Sequence, residues 1–294
     1  MPELPEIVTY LDAIERHVGN DVLETVRVKS FSLLRTYDPP IDAIFGRRLT
    51  GLRRIGKRIV FEFDDLFAVL HLMVAGRLHW HGERKKIPAK VGLAAFDFSR
   101  GTLLLTEAGT KRRASLHILH GEDALADLDP GGIEIDTATL DQFRAALMAE
   151  RHTMKRALSD ARYISGIGGA FADEILHAAR LSPMQMNTNL SDDEVERLFD
   201  ACRKTLETWV LIRREDTGDG FPEKVTAFHP RMAVHGKYNE PCPVCGTPIQ
   251  RIVYASRETN YCPGCQTGGK VLADRSLSRL LKDDWPKTID ELES

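Results

Sequence analysis

Long apolar runs are missing from this 294-residue chain. No stretch approaches the roughly 20 consecutive apolar residues that a bilayer-spanning helix needs, so no membrane partner is expected. An apolar leader is also missing, because MPELPEIVTY brings in Glu3 and Glu6 at once. Cysteine is scarce: of five, four form two close pairs and only Cys202 stands alone, which does not make the framework of a disulfide-stapled secreted domain. A cytoplasmic protein is the expectation. Nor is there a basic excess, since 40 Lys and Arg face 43 Asp and Glu for a net charge of −3. Taken as an average, that balance argues weakly against a nucleic-acid partner.

The average hides an asymmetry. Arg47, Arg48, Arg53, Arg54, Lys57 and Arg58 fall in one stretch with no acid between them, and Lys111, Arg112 and Arg113 form a second cluster. Residues 224–270 are also basic, whereas the acids gather in 122–141 and around Asp283 and Asp284. Segregated charge builds a positive face on an acidic protein, although each cluster also reads as an ordinary solvated surface. Hydrophobic residues at 43% and charged residues at 28% are those of a globular protein. The length suits two domains, each with its own core.

Ile7, Leu11, Ile14 and Val18 recur on one helical face, and Pro5 suits the first turn. Short apolar or alternating runs follow at 22–29, 58–63, 67–72, 92–98, 102–106 and 115–119, punctuated by glycines and charged turns as in an antiparallel sandwich or barrel. The acidic stretch 121–136, with Asp129-Pro130-Gly131-Gly132, reads as a linker. Helical periods then take over: one through Leu140, Phe143 and Leu147, a second over 152–158, a third over 169–180, and a long fourth from a capping Ser191, with Glu194 three residues on, to about 214. Residues 217–237 have no clear period, and a short polar tail helix is expected from Leu272.

Cys242-Pro-Val-Cys245, sixteen residues, then Cys262-Pro-Gly-Cys265 is the strongest chemical pattern in the chain. Two knuckle turns supply four thiolates tetrahedrally, a closed structural Zn²⁺ site with no open position for chemistry. Disulfides or an iron–sulfur cluster are the other readings. Alternating Ile249, Arg251 and Val253 between the pairs suit a hairpin. Such ribbons serve many proteins, so this one alone does not assign a function.

Removal of Met1 would expose Pro2 as a secondary amine. An α-amino group titrates near about 7.7–8.0, so a sizeable fraction of it is unprotonated and nucleophilic at neutral pH, unlike an unshifted lysine. A secondary amine condensing at a sugar C1′ gives a cationic iminium, an electron sink that acidifies the C2′ proton and promotes loss of a phosphate. Glu3 and Glu6 lie close enough to move protons there. The same residues also read as a plain helix start, with acids favouring its positive end.

MPELPE, Lys57 in Arg-Ile-Gly-Lys, His71-Leu72, the 166–174 segment and the four-cysteine ribbon occur in this order. Together they resemble the formamidopyrimidine-DNA glycosylase / endonuclease VIII family over nearly the whole chain. The resemblance implies an α+β architecture: an N-terminal helix plus antiparallel β-sandwich over 1–121, a helix–two-turns–helix domain over 137–215, a zinc ribbon over 236–270 and a tail over 271–294. It implies a bifunctional glycosylase and abasic-site lyase of base excision repair, monomeric, holding one structural Zn²⁺ and acting on damaged duplex DNA. Such an enzyme would be cytoplasmic and associated with the nucleoid through DNA. Pro2 would be the nucleophile, Glu3 the proton donor that opens the deoxyribose ring, and Glu6 and Glu174 groups that organise the site. Lys57 and Arg257 would grip phosphate, with His71, Arg112 and the glycines Gly166, Gly168 and Gly169 also facing DNA; Cys242, Cys245, Cys262 and Cys265 would hold the metal.

The chain departs from the family pattern in three places. Its glycine loop ends in Gly169 where the family has a phosphate-binding asparagine. Val74 stands where a methionine is expected, with Met73 one place earlier. Ala114 replaces the phenylalanine that fills the hole left by a flipped base, leaving Arg112 as the wedge. A catalytically weak or silent protein that binds lesions or abasic sites is the alternative reading.

Overall fold

Three of the four residues of the apolar stripe on the first helix, Ile7, Ile14 and Val18, are buried. In α1 (Leu4–Val18), Ile7, Tyr10 and Ile14 are completely buried. Leu11, expected on the stripe, lies at its half-buried edge, and Tyr10 takes the centre, accepting a hydrogen bond from the Leu78 amide at its phenolic oxygen. Burying each such side chain contributes about 1.5–3 kcal/mol, more than the helix gains from intrinsic propensity. The structure is a computed structural model that describes residues 1–109, 111–223, 225–254, 257–272 and 287–291, without the side chains of Tyr254 and Arg257. The chain forms two units: Met1–Pro130 with Thr208–Thr226, and Gly131–Glu207 with Ala227–Ser294.

In the first unit, α1 precedes two four-stranded antiparallel sheets. One has the order β1 (Leu23–Val28), β6 (Gly92–Phe98), β7 (Gly101–Glu107), β5 (Gly76–His81). The other has the order β2 (Gly51–Ile55), β3 (Arg58–Phe63), β4 (Leu66–His71), β8 (Ser115–His120). Alternation places Phe96, Leu103 and Leu105 of the first sheet and Ile59, Phe61, Leu70 and Leu116 of the second in one core, with Ile7 and Ile14 of α1 packed into it. The outer face of the second sheet is capped by α2 (Glu122–Ala126), whose Leu125 packs with Val60, Phe67 and Val69. The acidic stretch expected to be only a linker therefore begins with a helix.

Two strands escaped the sequence pattern. β2 carries Arg53 and Arg54 in its middle, and β5 alternates Leu78 and Trp80 with Arg77, His79 and His81. The first basic cluster is also partly neutralised: Arg47 lies 3.3 Å from Asp65, Arg53 lies 2.6 Å from Glu62, and Arg48 donates to the Asn20 carbonyl. Lys57 and Arg58 sit at the other end of the stretch, where the two-residue Gly56-Lys57 loop joins β2 to β3 and Gly56 takes φ +57°.

The second unit holds α3 (Leu140–Met148), α4 (Met154–Ser159), α5 (Gly169–Ala178) and the first turns of α6 (Asp192–Thr217), around a core including Phe143, Leu158, Phe171, Ile175 and Leu198. Thr139 and Gln142 form a capping box at α3, and Ser191 with Glu194 does so at α6, each pair exchanging two hydrogen bonds. Cys202 is fully buried in α6, and burial pushes its thiol pKa far up, as suits an inert core residue. The hairpin between the cysteine pairs is β9 (Gln250–Tyr254) with β10 (Arg257–Tyr261). The tail helix expected over 272–281 lies, from 273 onward, outside the described residues. No helix among the described residues is long and apolar enough to cross a membrane.

Candidate active site and metal centre

The N-terminal segment folds over itself before α1 begins. Pro2, Glu3 and Glu6 are all buried, and the Glu3 amide donates to Glu6 Oε2 at 2.9 Å. The other carboxylate oxygen of Glu6 accepts from Arg213 Nε at 3.1 Å and Nη2 at 2.8 Å. Burial raises the Glu6 pKa and Arg213 opposes that rise. The terminal amine on Met1 is half-buried, and its pKa is lowered first by that burial. Glu3 and Glu6 act against the shift, while Arg77 and Lys57 reinforce it. Burial also lowers the pKa of Lys57, against the pull of Glu3. The fold thus brings Pro2, Glu3, Glu6 and Lys57 into one electrostatic neighbourhood. It adds Arg77 and Arg213, which the sequence did not single out.

His71 ends β4, opposite Arg58 on one side and Ser115 on the other. Burial, then Arg58, Lys57 and His117, push its pKa down to about 4, so the ring is neutral at pH 7. Arg112 is exposed and donates to the Lys90 carbonyl. Val74 is 59% exposed at the tip of the turn from β4 to β5, which the Gly76 amide closes onto the Leu72 carbonyl. Ala114 is in the core, and its amide is held by the buried Glu107 carboxylate at 3.1 Å. Two of the three positions that depart from the family pattern therefore differ: Val74 is presented to solvent, and Ala114 is turned inward.

In the second unit, the glycine loop leads directly into α5. Gly166 adopts φ +78°, a left-handed conformation that side chains disfavour, and Gly168 is the N-cap residue. A Cβ on Gly169 would meet only Lys155 Cε, at 3.9 Å, so the space beside that residue is bounded by a lysine stem. Lys155 Nζ lies 2.6 Å from Asp173 and also donates to the Glu258 carbonyl on β10. Asp173, with no exposure, further holds His235 Nδ1 at 2.9 Å and accepts the Asn260 amide at 3.2 Å. Its neighbour Glu174 accepts the amides of Ala233, Val234 and His235 at 2.8, 2.9 and 2.9 Å. Burial raises the Glu174 pKa, and those three amides oppose the rise. Within this unit the Glu174 carboxylate clasps the 233–235 segment. The side chain of Arg257 lies outside the described residues.

The cysteine pairs converge. Sγ of Cys245 and Cys262 are 3.3 Å apart, and Sγ of Cys242 and Cys265 are 3.9 Å apart. Four thiolates about 2.3 Å from one tetrahedral ion would be separated by just under about 4 Å, so this donor set fits Zn²⁺. His177 of α5 adds a nitrogen: its ring lies with the sulfurs of Cys242, Cys262 and Cys265 in a cluster whose donor atoms are all within 4.8 Å of one another.

Comparison with known proteins gives three family matches along the chain. Residues 1–113 match the formamidopyrimidine-DNA glycosylase N-terminal domain, 129–218 the formamidopyrimidine-DNA glycosylase H2TH domain, and 239–268 the zinc finger found in FPG and IleRS. The formamidopyrimidine-DNA glycosylase of Heliobacterium modesticaldum is 32% identical over 280 residues, covering 90% of this chain and all of its own. This chain belongs to the formamidopyrimidine-DNA glycosylase family. The enzyme of that name from Listeria monocytogenes is 27% identical over 279 residues. An uncharacterized formamidopyrimidine-DNA glycosylase-like protein of Mycobacterium tuberculosis is 36% identical over 155 residues, 53% of this chain and 94% of its own.

Among solved structures, the LlFpg protein in complex with a THF-DNA and an inhibitor superposes with a TM-score of 0.80 at 23% identity. It covers 90% of this chain and all of its own. The Lactococcus lactis Fpg with an abasic site containing DNA gives 0.79 at 22% identity. These neighbours share the fold. The family's zinc finger and the His/Cys cluster identify the metal site as that of one structural zinc.

Proposed function

We propose that this chain is a bifunctional DNA glycosylase and abasic-site lyase of base excision repair, acting as a monomer on oxidised bases in duplex DNA. One observation carries the reading: Pro2, which becomes the terminal amine once Met1 is removed, is buried beside Glu3 and Glu6 at the start of α1, with Lys57 in electrostatic reach of the chain's terminus. The relatives that match over 90% of the chain are named formamidopyrimidine-DNA glycosylases, which gives the substrate class.

After Met1 is removed, the Pro2 nitrogen attacks C1′ of the damaged nucleotide. The bond from C1′ to the base breaks and the base leaves with its electron pair, taking up the proton that the amine gives up; Glu3 then protonates the ring oxygen as the C1′–oxygen bond opens. Because the amine is secondary, the product is an iminium ion. Loss of the C2′ proton feeds electrons into that ion, the 3′ phosphate departs with its bonding pair, and water finally frees the amine. Glu6 holds the start of α1 in place through Glu3 and Arg213, and Glu174 positions 233–235. Lys57, His71, Arg112, Gly166, Gly168, Gly169 and Arg257 form the DNA-contacting set. Zinc, held by Cys242, Cys245, Cys262 and Cys265, supplies no bond-making chemistry; it fixes the ribbon. A cytoplasmic, nucleoid-associated location follows from this activity.

A silent lesion-binding protein is the second reading, favoured by the inward Ala114 and the bare Gly169. Borohydride trapping separates the two on duplexes carrying an abasic site, 8-oxoguanine or a hydantoin. The wild type should form a covalent adduct, and Pro2→Gly or a chain retaining Met1 should not. Equal trapping by Pro2→Gly would move the nucleophile to a lysine, and no trapping on the abasic duplex would leave only the binding protein.

A further inference from the structure

His177 is out of place for a core position. α5 buries Phe171, Ile175 and Leu176 by apolar packing, yet His177, only 6% exposed, brings two ring nitrogens into the same interior. A buried polar group without a partner costs on the order of 1–3 kcal/mol, so the ring needs one. Its partner is Cys242: Nε2 lies 3.2 Å from Sγ.

We propose that His177 is a positioning residue of the zinc centre, its Nε2–H donating to the Cys242 thiolate while the four cysteines hold the metal. The ring nitrogen shares a cluster with the sulfurs of Cys242, Cys262 and Cys265, and three observations favour a place beside the ligands over a place among them. The Cys245–Cys262 and Cys242–Cys265 approaches pair the sulfurs of the two knuckles, and an ion held tetrahedrally by four thiolates has no fifth position for the imidazole. The 3.2 Å separation is that of an N–H···S hydrogen bond. Cys242 is 3% exposed and already accepts the Val244 amide at 3.5 Å, so the imidazole adds a second donor to the same sulfur.

Four thiolates around Zn²⁺ carry two net negative charges in a partly dry site. An N–H aimed at one sulfur draws off part of that charge, makes it a poorer target for protons and oxidants, and fixes its direction. The bond also ties the first knuckle of the ribbon to α5, one turn from Glu174 and its hold on 233–235. Metal retention and the placement of the ribbon on α5 are therefore coupled through one side chain.

The test uses the full chain loaded with Zn²⁺ or Co²⁺. His177→Phe keeps the ring volume and removes the donor, whereas His177→Gln keeps an N–H. In His177→Phe, zinc should pass to a chromophoric chelator about 10–100-fold faster, the usual scale for losing such a support, and His177→Gln should recover part of that loss. The Co²⁺ visible spectrum should remain that of four thiolates in both. Cys245→Ser should lower the sulfur-to-cobalt charge-transfer intensity by about a quarter, because one thiolate of four is lost. Wild-type zinc release by His177→Phe overturns the proposal. A changed d–d spectrum in His177→Phe together with an unchanged one in Cys245→Ser also overturns it, by making the histidine a ligand. If circular dichroism shows His177→Phe misfolded, His177→Gln and Cys245→Ser still decide. None of these readouts depends on the proposed glycosylase activity.

Discussion

Arg213 and Glu6, 207 residues apart in sequence, form a buried ion pair in which Nε and Nη2 both reach Oε1. Their side chains are 8% and 3% exposed. Nη2 also donates to the Thr226 carbonyl at 2.6 Å, so the guanidinium fastens the 208–226 segment to the start of α1. Removing one partner strands the other charge in a dry site, at about 3–5 kcal/mol. Arg213→Ala should therefore lower the urea midpoint strongly, while the double variant Glu6→Gln/Arg213→Met should recover much of the loss. A loss below about 1 kcal/mol in Arg213→Ala would show that the pair carries little of the stability.

Stability should fall on acidification, in part because of His71. Its pKa is about 4 in the folded chain against 6.5 ordinarily, and burial is the first cause. A histidine with a depressed folded pKa binds its proton more readily when unfolded. The stability it contributes is complete above pH 6.5 and drains away as the pH drops toward 4. Burial also lowers His79 and His117, so His71→Gln should flatten the decline between pH 6.5 and 4 without abolishing it. Urea titrations at pH 7 and 4.5 measure this. Parallel curves for variant and wild type would assign the decline to other groups.

What the sequence discloses follows the distance over which each signal acts. The stripe of Ile7 and Ile14, the Ser191–Glu194 box and the cysteine pairs are local, set within a few residues, and each is found where its spacing places it. β2 was hidden because Arg53 is tolerated in a strand only once Glu62 and Glu122 face it. Arg77 near the terminal amine, Arg213 on Glu6 and His177 on Cys242 are meetings of distant segments. No periodicity in one stretch announces them. The six-base stretch misled in the other direction, since Arg47 and Arg53 spend their charge on neighbouring carboxylates.

The ribbon should not survive loss of its metal. One small cluster in it holds Val234, Ile249, Cys242 and Cys262, and Tyr261 is also fully buried. A lone two-stranded hairpin is marginal in water. Zinc contributes on the order of 10–16 kcal/mol of apparent binding energy to comparable small modules, against about 1.5–3 kcal/mol for each buried side chain. Stripping it with a chelator and a thiol reagent should open 239–268 to proteolysis while the β-sheets of the first unit persist. Continued protection of that stretch in the metal-free chain would mean that contacts with α5, and not the ion, hold the ribbon.

If Lys57 and Arg257 contact phosphate, each removes about one unit from the slope of log affinity against log salt when changed to alanine. The informative control is Arg47→Ala. Arg47 belongs to the same basic stretch, but its guanidinium sits 3.3 Å from Asp65 and 3.9 Å from Asp64, so its charge is already balanced. Binding to an abasic duplex measured between 50 and 200 mM salt should therefore show a shallower slope for Lys57→Ala and Arg257→Ala and a wild-type slope for Arg47→Ala. Net charge falls equally in all three variants. An equal flattening in all three would reduce the effect to general electrostatics and take Lys57 off the DNA face.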